Sequence, residues 1–299
     1  MVANVDLSVP GRGTSPNCCT GVWQASGTSE KEAVVRLATF NLMSGRSLAD
    51  GLVDEGRLYD AIAELDADVL ALQEVDRDQP RSNGLDLTAV AEAAIGAVAS
   101  RFAATMLGLP EQWRPARDEE GEDGPTARYG VALVSRWPVR AWYVRRLRAA
   151  PVRAPIFVPG QGGGLIMLND EPRLVLAAVI DAPTGPMTVA CTHLSFVPGW
   201  NIGQLTGTLR WLRGLPGPRF LLGDLNLPTV ATLPCAAANG WRLLARRPTY
   251  PAPRPRVQFD HILAHPRRHL AVPPPVRIRV STPAIPVSDH RPLVVELAV

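Results

Sequence analysis

Carboxylates, amides and histidines gather where the apolar runs of this chain end. Asn41 closes LATFN, Glu74 closes VLALQE, and His193 follows VACT. Asp224 and Asn226 close FLLGDLN, Asp260 opens DHILA, and Asp289 with His290 precedes RPLVVEL. A strand that leaves a core at such a point delivers its last side chains into a cleft. Acids, amides and imidazoles brought together there can hold a hard cation, orient water and move a proton. Each residue also has a plainer reading as a cap or a solvated strand end.

Spacing sharpens some of these readings. Asp224 and Asn226 are two apart, so extended geometry turns both to one face and Leu225 to the other. They either share a ligand or form an Asx turn capping the segment that follows. A carboxylate at Glu74, inside an apolar run, costs several kcal/mol to bury unless it is paired or metal-bound. His193 and His290 stand beside strand-end acids or amides, whereas His265 and His269 read as surface residues. His261 follows Asp260 on the same run and faces away from it.

The elements that must position these residues are legible as apolar runs. Strands are expected at 34–42, 68–75, 129–137, 173–180, 187–195, 219–226, 259–265 and 293–299, and helices at 55–66, about 86–104 and about 201–213. Many of the strands are continuously apolar, as strands covered on both faces are. The turn-like DAPTGP between 173–180 and 187–195 signals a hairpin, so the sheets are mixed. Two mixed sheets packed face to face with helices outside satisfy both features, an α/β chain of the α+β type. Residues 1–33, rich in Gly, Ser, Thr and Pro, read as a flexible tail before a single domain at 34–299. RRPTYPAPRPR, 246–256, reads as a surface loop.

Composition excludes several classes. With 46% hydrophobic and 20% charged residues among 299, the chain is neither disordered nor a coiled coil. A net charge of +3 announces no nucleic-acid or membrane binder by field strength. Lys31 is the single lysine, so the positive charge is almost all arginine, suited to phosphate contact and equally to a GC-rich genome. The vicinal Cys18–Cys19 pair, with Cys191 and Cys235, has no C-x-x-C spacing, and no long apolar segment occurs. A cytoplasmic monomer without membrane insertion is the expectation.

The series LATFNLMSG, DVLALQEVDR, RYGVALVSRWPV, VACTHLSF, FLLGDLNLP, TYPAPRPRVQFDHILA and VSDHRPLVVEL, in order over about 34–299, resembles the endonuclease/exonuclease/phosphatase superfamily. That resemblance implies a four-layer sandwich of two mixed sheets flanked by helices and a metal-dependent attack of water on a phosphate ester. By the same resemblance, Glu74 is the principal metal carboxylate, with Asn41 and Asp289 nearby, and the ion is Mg²⁺ with Mn²⁺ as a substitute. His290 is the catalytic histidine oriented by Asp260, Asp224 and Asn226 position the nucleophile and phosphoryl oxygens, and His193 binds or protonates the phosphate. Near its ordinary pKa of ~6.5, His290 is expected to take a proton from water.

Two positions depart from the family pattern. Met43 stands where apurinic endonucleases carry an acid, and Thr126 with Ala127 stands where the deoxyribonuclease I branch places the carboxylate behind its second histidine. Glu122 or Asp123 are the candidate substitutes. Arg128 and Tyr129 read as phosphate contacts or as core or rim residues.

Rival readings fare less well. Cys191 and His193 on one strand face lie ~6–7 Å apart, too far for a nucleophile and its base. GQGGG, 160–164, lacks the Lys and Ser/Thr of a P-loop. A catalytically silent phosphate- or nucleic-acid-binding module keeps the fold but leaves the full set of catalytic residue types without a task. Among substrates, the arginines at 136–153 and 242–256 favour DNA or RNA, cut as an endonuclease or exonuclease; inositol phosphates and sphingomyelin are the alternatives.

Overall fold

The computed structural model describes residues 34–117, 126–158, 164–265 and 278–298. Contacts divide the chain into Met1–Lys31 and Glu32–Val299, and every described residue belongs to the second unit. The expected tail at 1–33, with Cys18 and Cys19, and the residues Glu122, Asp123 and His269 lie outside the described residues.

Two sheets form the centre. The first has seven strands in the order β14 (Ile278–Ser281), β15 (Leu293–Ala298), β1 (Val34–Asn41), β2 (Val69–Arg77), β5 (Arg128–Ser135), β3 (Ala99–Leu107) and β4 (Arg114–Pro115). The second has six: β12 (Arg242–Leu243), β13 (Asp260–His265), β11 (Arg219–Asp224), β10 (Gly185–His193), β9 (Arg173–Ala182) and β6 (Val139–Leu147). β1 and β2 run parallel, as do β10 and β11, while the other pairs are antiparallel, so both sheets are mixed as expected. A separate ribbon pairs β7 (Arg153–Val158) with β8 (Gly164–Asn169).

The layers follow from which face each residue takes. Leu37, Val69, Ala71, Val131 and Leu133 of the first sheet meet Leu174, Leu176, Val189, Cys191 and Leu222 of the second in the inter-sheet core. On the outer face of the first sheet, Leu70, Leu72 and Val134 pack with Leu58 and Ile62 of α1 (Glu55–Ala63) and Val90, Ala91 and Ile95 of α2 (Leu87–Ile95). On the outer face of the second, Ala190 and Leu221 pack with Leu205 and Leu209 of α3 (Trp200–Leu212) and Ala236 of α4 (Thr229–Ala238). Each fully buried aliphatic side chain stabilises the sandwich by ~1.5–3 kcal/mol. No helix among the described residues is long and apolar enough to cross a membrane.

The helix expected at 86–104 divides in two. Asp86 caps α2 by accepting from the Thr88 and Ala89 amides, and Gly96, with φ 64°, ends it in the left-handed conformation. Residues 99–107 then form β3. Four consecutive apolar residues of β8, Leu165, Ile166, Met167 and Leu168, are 71%, 43%, 47% and 40% exposed.

Candidate active site

Strand register assembles the site before any side chain is considered. In the second sheet, His193 pairs with Asp224 and Asp224 with Asp260, which places three functional residues in one row across β10, β11 and β13. Gly223 permits this close approach, since a Cβ there would lie 1.9 Å from the Thr192 carbonyl oxygen. In the first sheet, Asn41 pairs with Gln73 at the ends of β1 and β2. The register of β2 against β5 shifts between Leu72 and Val75, and Glu74 in that bulge has φ 53°. A bulge re-aims a side chain, and a left-handed non-glycine residue is strain of the kind kept at functional sites.

Asn41 joins the two sheets. Its Nδ2 donates to Glu74 Oε1 at 3.0 Å and to Asp224 Oδ2 at 3.1 Å, while its Oδ1 accepts from the Met43 amide. The amide thus turns its N–H₂ toward the two carboxylates and bridges them, while its oxygen faces the Met43 amide. Glu74 is half-buried, and burial with repulsion from Asp289 and Asp224 outweighs the Asn41 bond and the His290 charge to push its carboxyl up to about 7. A divalent cation would relieve that repulsion. Glu74 and Asp289, all-oxygen donors, fit a hard ion such as Mg²⁺ or Mn²⁺.

His290 and Asp260 form the expected pair, with Nδ1 to Oδ2 at 2.8 Å. His290 Nε2 lies 3.8 Å from Asp224 Oδ2, and its ring stands 4.9 Å from the Tyr250 ring. Although burial opposes its charge, Asp260, Asp224 and Asp289 together raise His290 to about 10. Where the sequence reading expects a base near its ordinary value, the three carboxylates favour the charged ring in the absence of a cation. Asp224, Asp260 and His290 bring ligand atoms within 4.8 Å of one another, but His290 Nδ1 is committed to Asp260, which marks the group as a proton-holding triad rather than a metal cage. Burial raises Asp224 above the ordinary carboxylate range against the pull of His290.

Asn226, with φ 48°, brings its amide back to the row. Its backbone N–H donates to Asp224 Oδ1 at 2.8 Å, and Nδ2 lies 3.0 Å from the Leu194 carbonyl oxygen and 3.1 Å from His193 Nε2. The pair therefore shares an Asx turn and a site at once. His193 Nε2 stands 3.6 Å from Asp224 Oδ2.

Arg128 and Tyr129 part company. Strand alternation sends Tyr129 with Val131 and Leu133 to the inter-sheet side and Arg128 with Ala132 and Val134 to the helix side, so Arg128 is not placed for the phosphate contact expected of it. Tyr129 stacks on Trp113 at 5.0 Å, and burial and the charge of Glu74 hold its hydroxyl well above its ordinary value. Cys191 packs in the inter-sheet core, with its thiol pushed up to about 12 by burial, which bears out the rejection of a cysteine nucleophile. His261 is buried on the opposite face of β13 at 2.8 Å from the Leu227 carbonyl oxygen, as its spacing implied.

The structure adds residues to which the sequence reading gave no role. Arg173, 6% exposed, lies with Nη1 3.3 Å from His193 Nδ1. Arg81 clamps the buried Asp76 with bonds of 2.8 and 2.7 Å and covers the Trp113 and Tyr129 rings. Tyr250 comes from the Pro/Arg-rich loop, which is a wall of the site and not merely surface. Their only advance signal was position beside a motif residue.

Similarity agrees with this geometry. The sequence matches the Endonuclease/Exonuclease/phosphatase family over residues 38–290. No curated protein matches it significantly. Among solved structures, an endonuclease/exonuclease/phosphatase from Beutenbergia cavernae is 24% identical with a TM-score of 0.59, over 89% of this chain and 72% of its own. One from Bacteroides vulgatus is 17% identical with a TM-score of 0.58, over 89% and 98%. Sphingomyelinase C from Streptomyces griseocarneus is 15% identical with a TM-score of 0.53, over 89% and 99%. These likenesses are of fold, and the matched sequence spans the candidate site from Asn41 to His290: the chain belongs to the endonuclease/exonuclease/phosphatase family of phosphate-ester hydrolases.

Proposed function

We propose that this protein is a divalent-metal-dependent phosphodiesterase acting on nucleic acid. The observation that carries the hydrolytic reading is the connected row Glu74–Asn41–Asp224–His290–Asp260, which brings both sheets to one point. Asp224 accepts a proton from a water molecule as the water oxygen forms the new P–O bond and the ester P–O bond breaks. The leaving oxygen departs as an alkoxide and takes a proton from solvent. His290, charged by its three carboxylate neighbours, holds a phosphoryl oxygen, and Asp260 fixes the ring. Glu74 and Asp289 would hold the cation, which would supply positive charge to offset that of the phosphate ester.

The substrate class rests on a cleft of about 360 Å³ lined by Arg145, Arg146, Arg148, Trp200 and Gln204, at the end of β6 where Leu147 pairs with Arg173. Arginine with an accessible tryptophan suits phosphates and stacked bases. Part of the arginine cluster has other duties. Arg145 donates to the Gly207 carbonyl, Arg146 to those of Ala104 and Arg117, Arg136 to that of Ile95, and Arg140 pairs with Asp181. Arg153 donates to the Met167 carbonyl, and Arg148 is exposed. The exposed apolar strand Leu165–Leu168 favours a second reading, a phosphodiester carrying an apolar group such as a phospholipid. Turnover of plasmid DNA, abasic duplex, RNA, inositol phosphates and sphingomyelin with Mg²⁺ tests the choice. Nucleic-acid cleavage that weakens with salt, less steeply in Arg148→Ser, supports the first reading; salt-insensitive lipid turnover alone supports the second.

A further inference from the structure

Both ring nitrogens of His193 face N–H donors. Nδ1 lies 3.3 Å from Arg173 Nη1, and a guanidinium can only donate. Nε2 lies 3.1 Å from Asn226 Nδ2, whose identity as the donor end of that amide is set by the Leu194 carbonyl oxygen 3.0 Å away. A doubly protonated ring would aim N–H at N–H on both sides. A neutral ring accepts at only one nitrogen, and the charged guanidinium, which has no acceptor to offer, takes Nδ1. The ring proton then sits on Nε2, where the 3.1 Å approach of Asn226 Nδ2 is donor to donor and leaves that N–H without an acceptor of its own. That nitrogen faces the space shared with Asp224 Oδ2, 3.6 Å off.

Arg173 is built in rather than incidental. It opens β9, is 6% exposed, and has Asp170 and Glu171 carboxylate oxygens at 3.7 and 3.9 Å. Its Nε has no partner. A carboxylate behind an imidazole favours the charged ring that can give up a proton, and a fixed cation there does the reverse. Burial, then Arg173, then His290 hold His193 well below its ordinary value.

We propose that Arg173 is a positioning residue that holds His193 as a neutral imidazole protonated on Nε2, so that His193 donates a hydrogen bond to a phosphoryl oxygen and does not protonate the leaving oxygen. This rests on the reading of the site as a phosphodiesterase. It predicts that the acid role is absent from the position where a second histidine stands, and that the leaving oxygen obtains its proton from solvent.

Two diesters with the same phosphoryl end, one with a nitrophenyl and one with an alkyl leaving group, separate the roles. An acid matters only for the basic alkyl oxygen. His193→Ala is expected to lower turnover by about 10²-fold on both, the cost of one lost donor. His193→Gln, whose amide nitrogen donates from the place of Nε2 without titrating, is expected to stay within about tenfold of native. A penalty confined to the alkyl ester, or His193→Gln as impaired as His193→Ala, overturns the proposal. In ¹⁵N-histidine spectra of the whole protein, His193 should show a bare Nδ1 and a protonated Nε2. In Arg173→Gln the ring should lose that state, and in Arg173→Lys keep it. An unchanged ring in Arg173→Gln would remove Arg173 from the account. Because the spectra need no turnover, a native protein inactive on both esters would overturn the phosphodiesterase reading while leaving the ring-state test standing.

Discussion

The Asn41 amide and the Asp224 carboxylate, 183 residues apart in sequence, meet at 3.1 Å across the two sheets. The same amide nitrogen reaches Glu74 at 3.0 Å, so one side chain sets the spacing between the acid proposed to hold the cation and the acid proposed to take the water proton. Both carboxylates would otherwise repel without a mediator.

Removing that mediator should be felt twice. Asn41→Ala is expected to lose about 1–3 kcal/mol of folding stability, the cost of leaving buried partners unsatisfied. Turnover should fall by about 10²-fold or more, since a 1 Å misplacement already costs that much. Urea unfolding and steady-state kinetics measure the two losses, and a variant with native stability and turnover would show that the bridge sets nothing.

His290 and Asp260 should act as one unit. His290→Ala is expected to cost about 10² to 10³ in turnover with the fold intact, the range for a lost donor to a phosphoryl oxygen. Asp260→Asn should also impair turnover, and the double variant should be little worse than His290→Ala. If the losses multiply, Asp260 has a separate task.

Without a cation, two groups make the fold less stable as pH rises. Glu74 shifts from 4.5 to about 7 on folding, so the folded chain holds its proton longer and stability falls between those values. His290 shifts from 6.5 to about 10, so its contribution is complete below 6.5 and lost as pH approaches 10. Melting temperatures in chelator should decline in two limbs. Glu74→Gln should remove the lower limb, His290→Asn the upper, and Mg²⁺ should counter the lower by binding the deprotonated Glu74. A flat profile between pH 4.5 and 7 in the native protein would contradict the Glu74 environment.

Much of this was legible from residue order because the site lies at strand ends, where a local apolar run and a polar terminus adjoin. Asn41, Glu74, His193, Asp224, Asn226, Asp260, Asp289 and His290 each carried that local signal, and the structure brings Asn41, Glu74, His193, Asp224, Asn226, Asp260 and His290 into one connected network. Asp289 joins it through its charge on Glu74 and His290. The roles were less legible than the positions. Whether a histidine is a base or a cation depends on how many carboxylates surround it, and Asp224, Asp260 and Asp289 reach His290 from separate elements. Arg173 and Tyr250 were not singled out because neither is an acid, amide or imidazole at a strand end, and each meets its histidine only in the fold.

Some elements were misread for local reasons. The alanine-rich β3 continues the composition of α2, and the break rests on Gly96 alone. α4 contains Pro234, which hid its helical character. β6 carries Arg140, Arg145 and Arg146 on a half-exposed edge strand, so it lacked the apolar run that marked its neighbours.

The most direct test is hydrolysis of a phosphodiester by the purified protein after exhaustive chelation, with Mg²⁺ then added back to the native chain and to Glu74→Gln. The account predicts no turnover in chelator, recovery of the native protein on adding Mg²⁺, and a weaker, right-shifted Mg²⁺ response in Glu74→Gln. Full activity in excess chelator, or a Mg²⁺ response unchanged by Glu74→Gln, would contradict it.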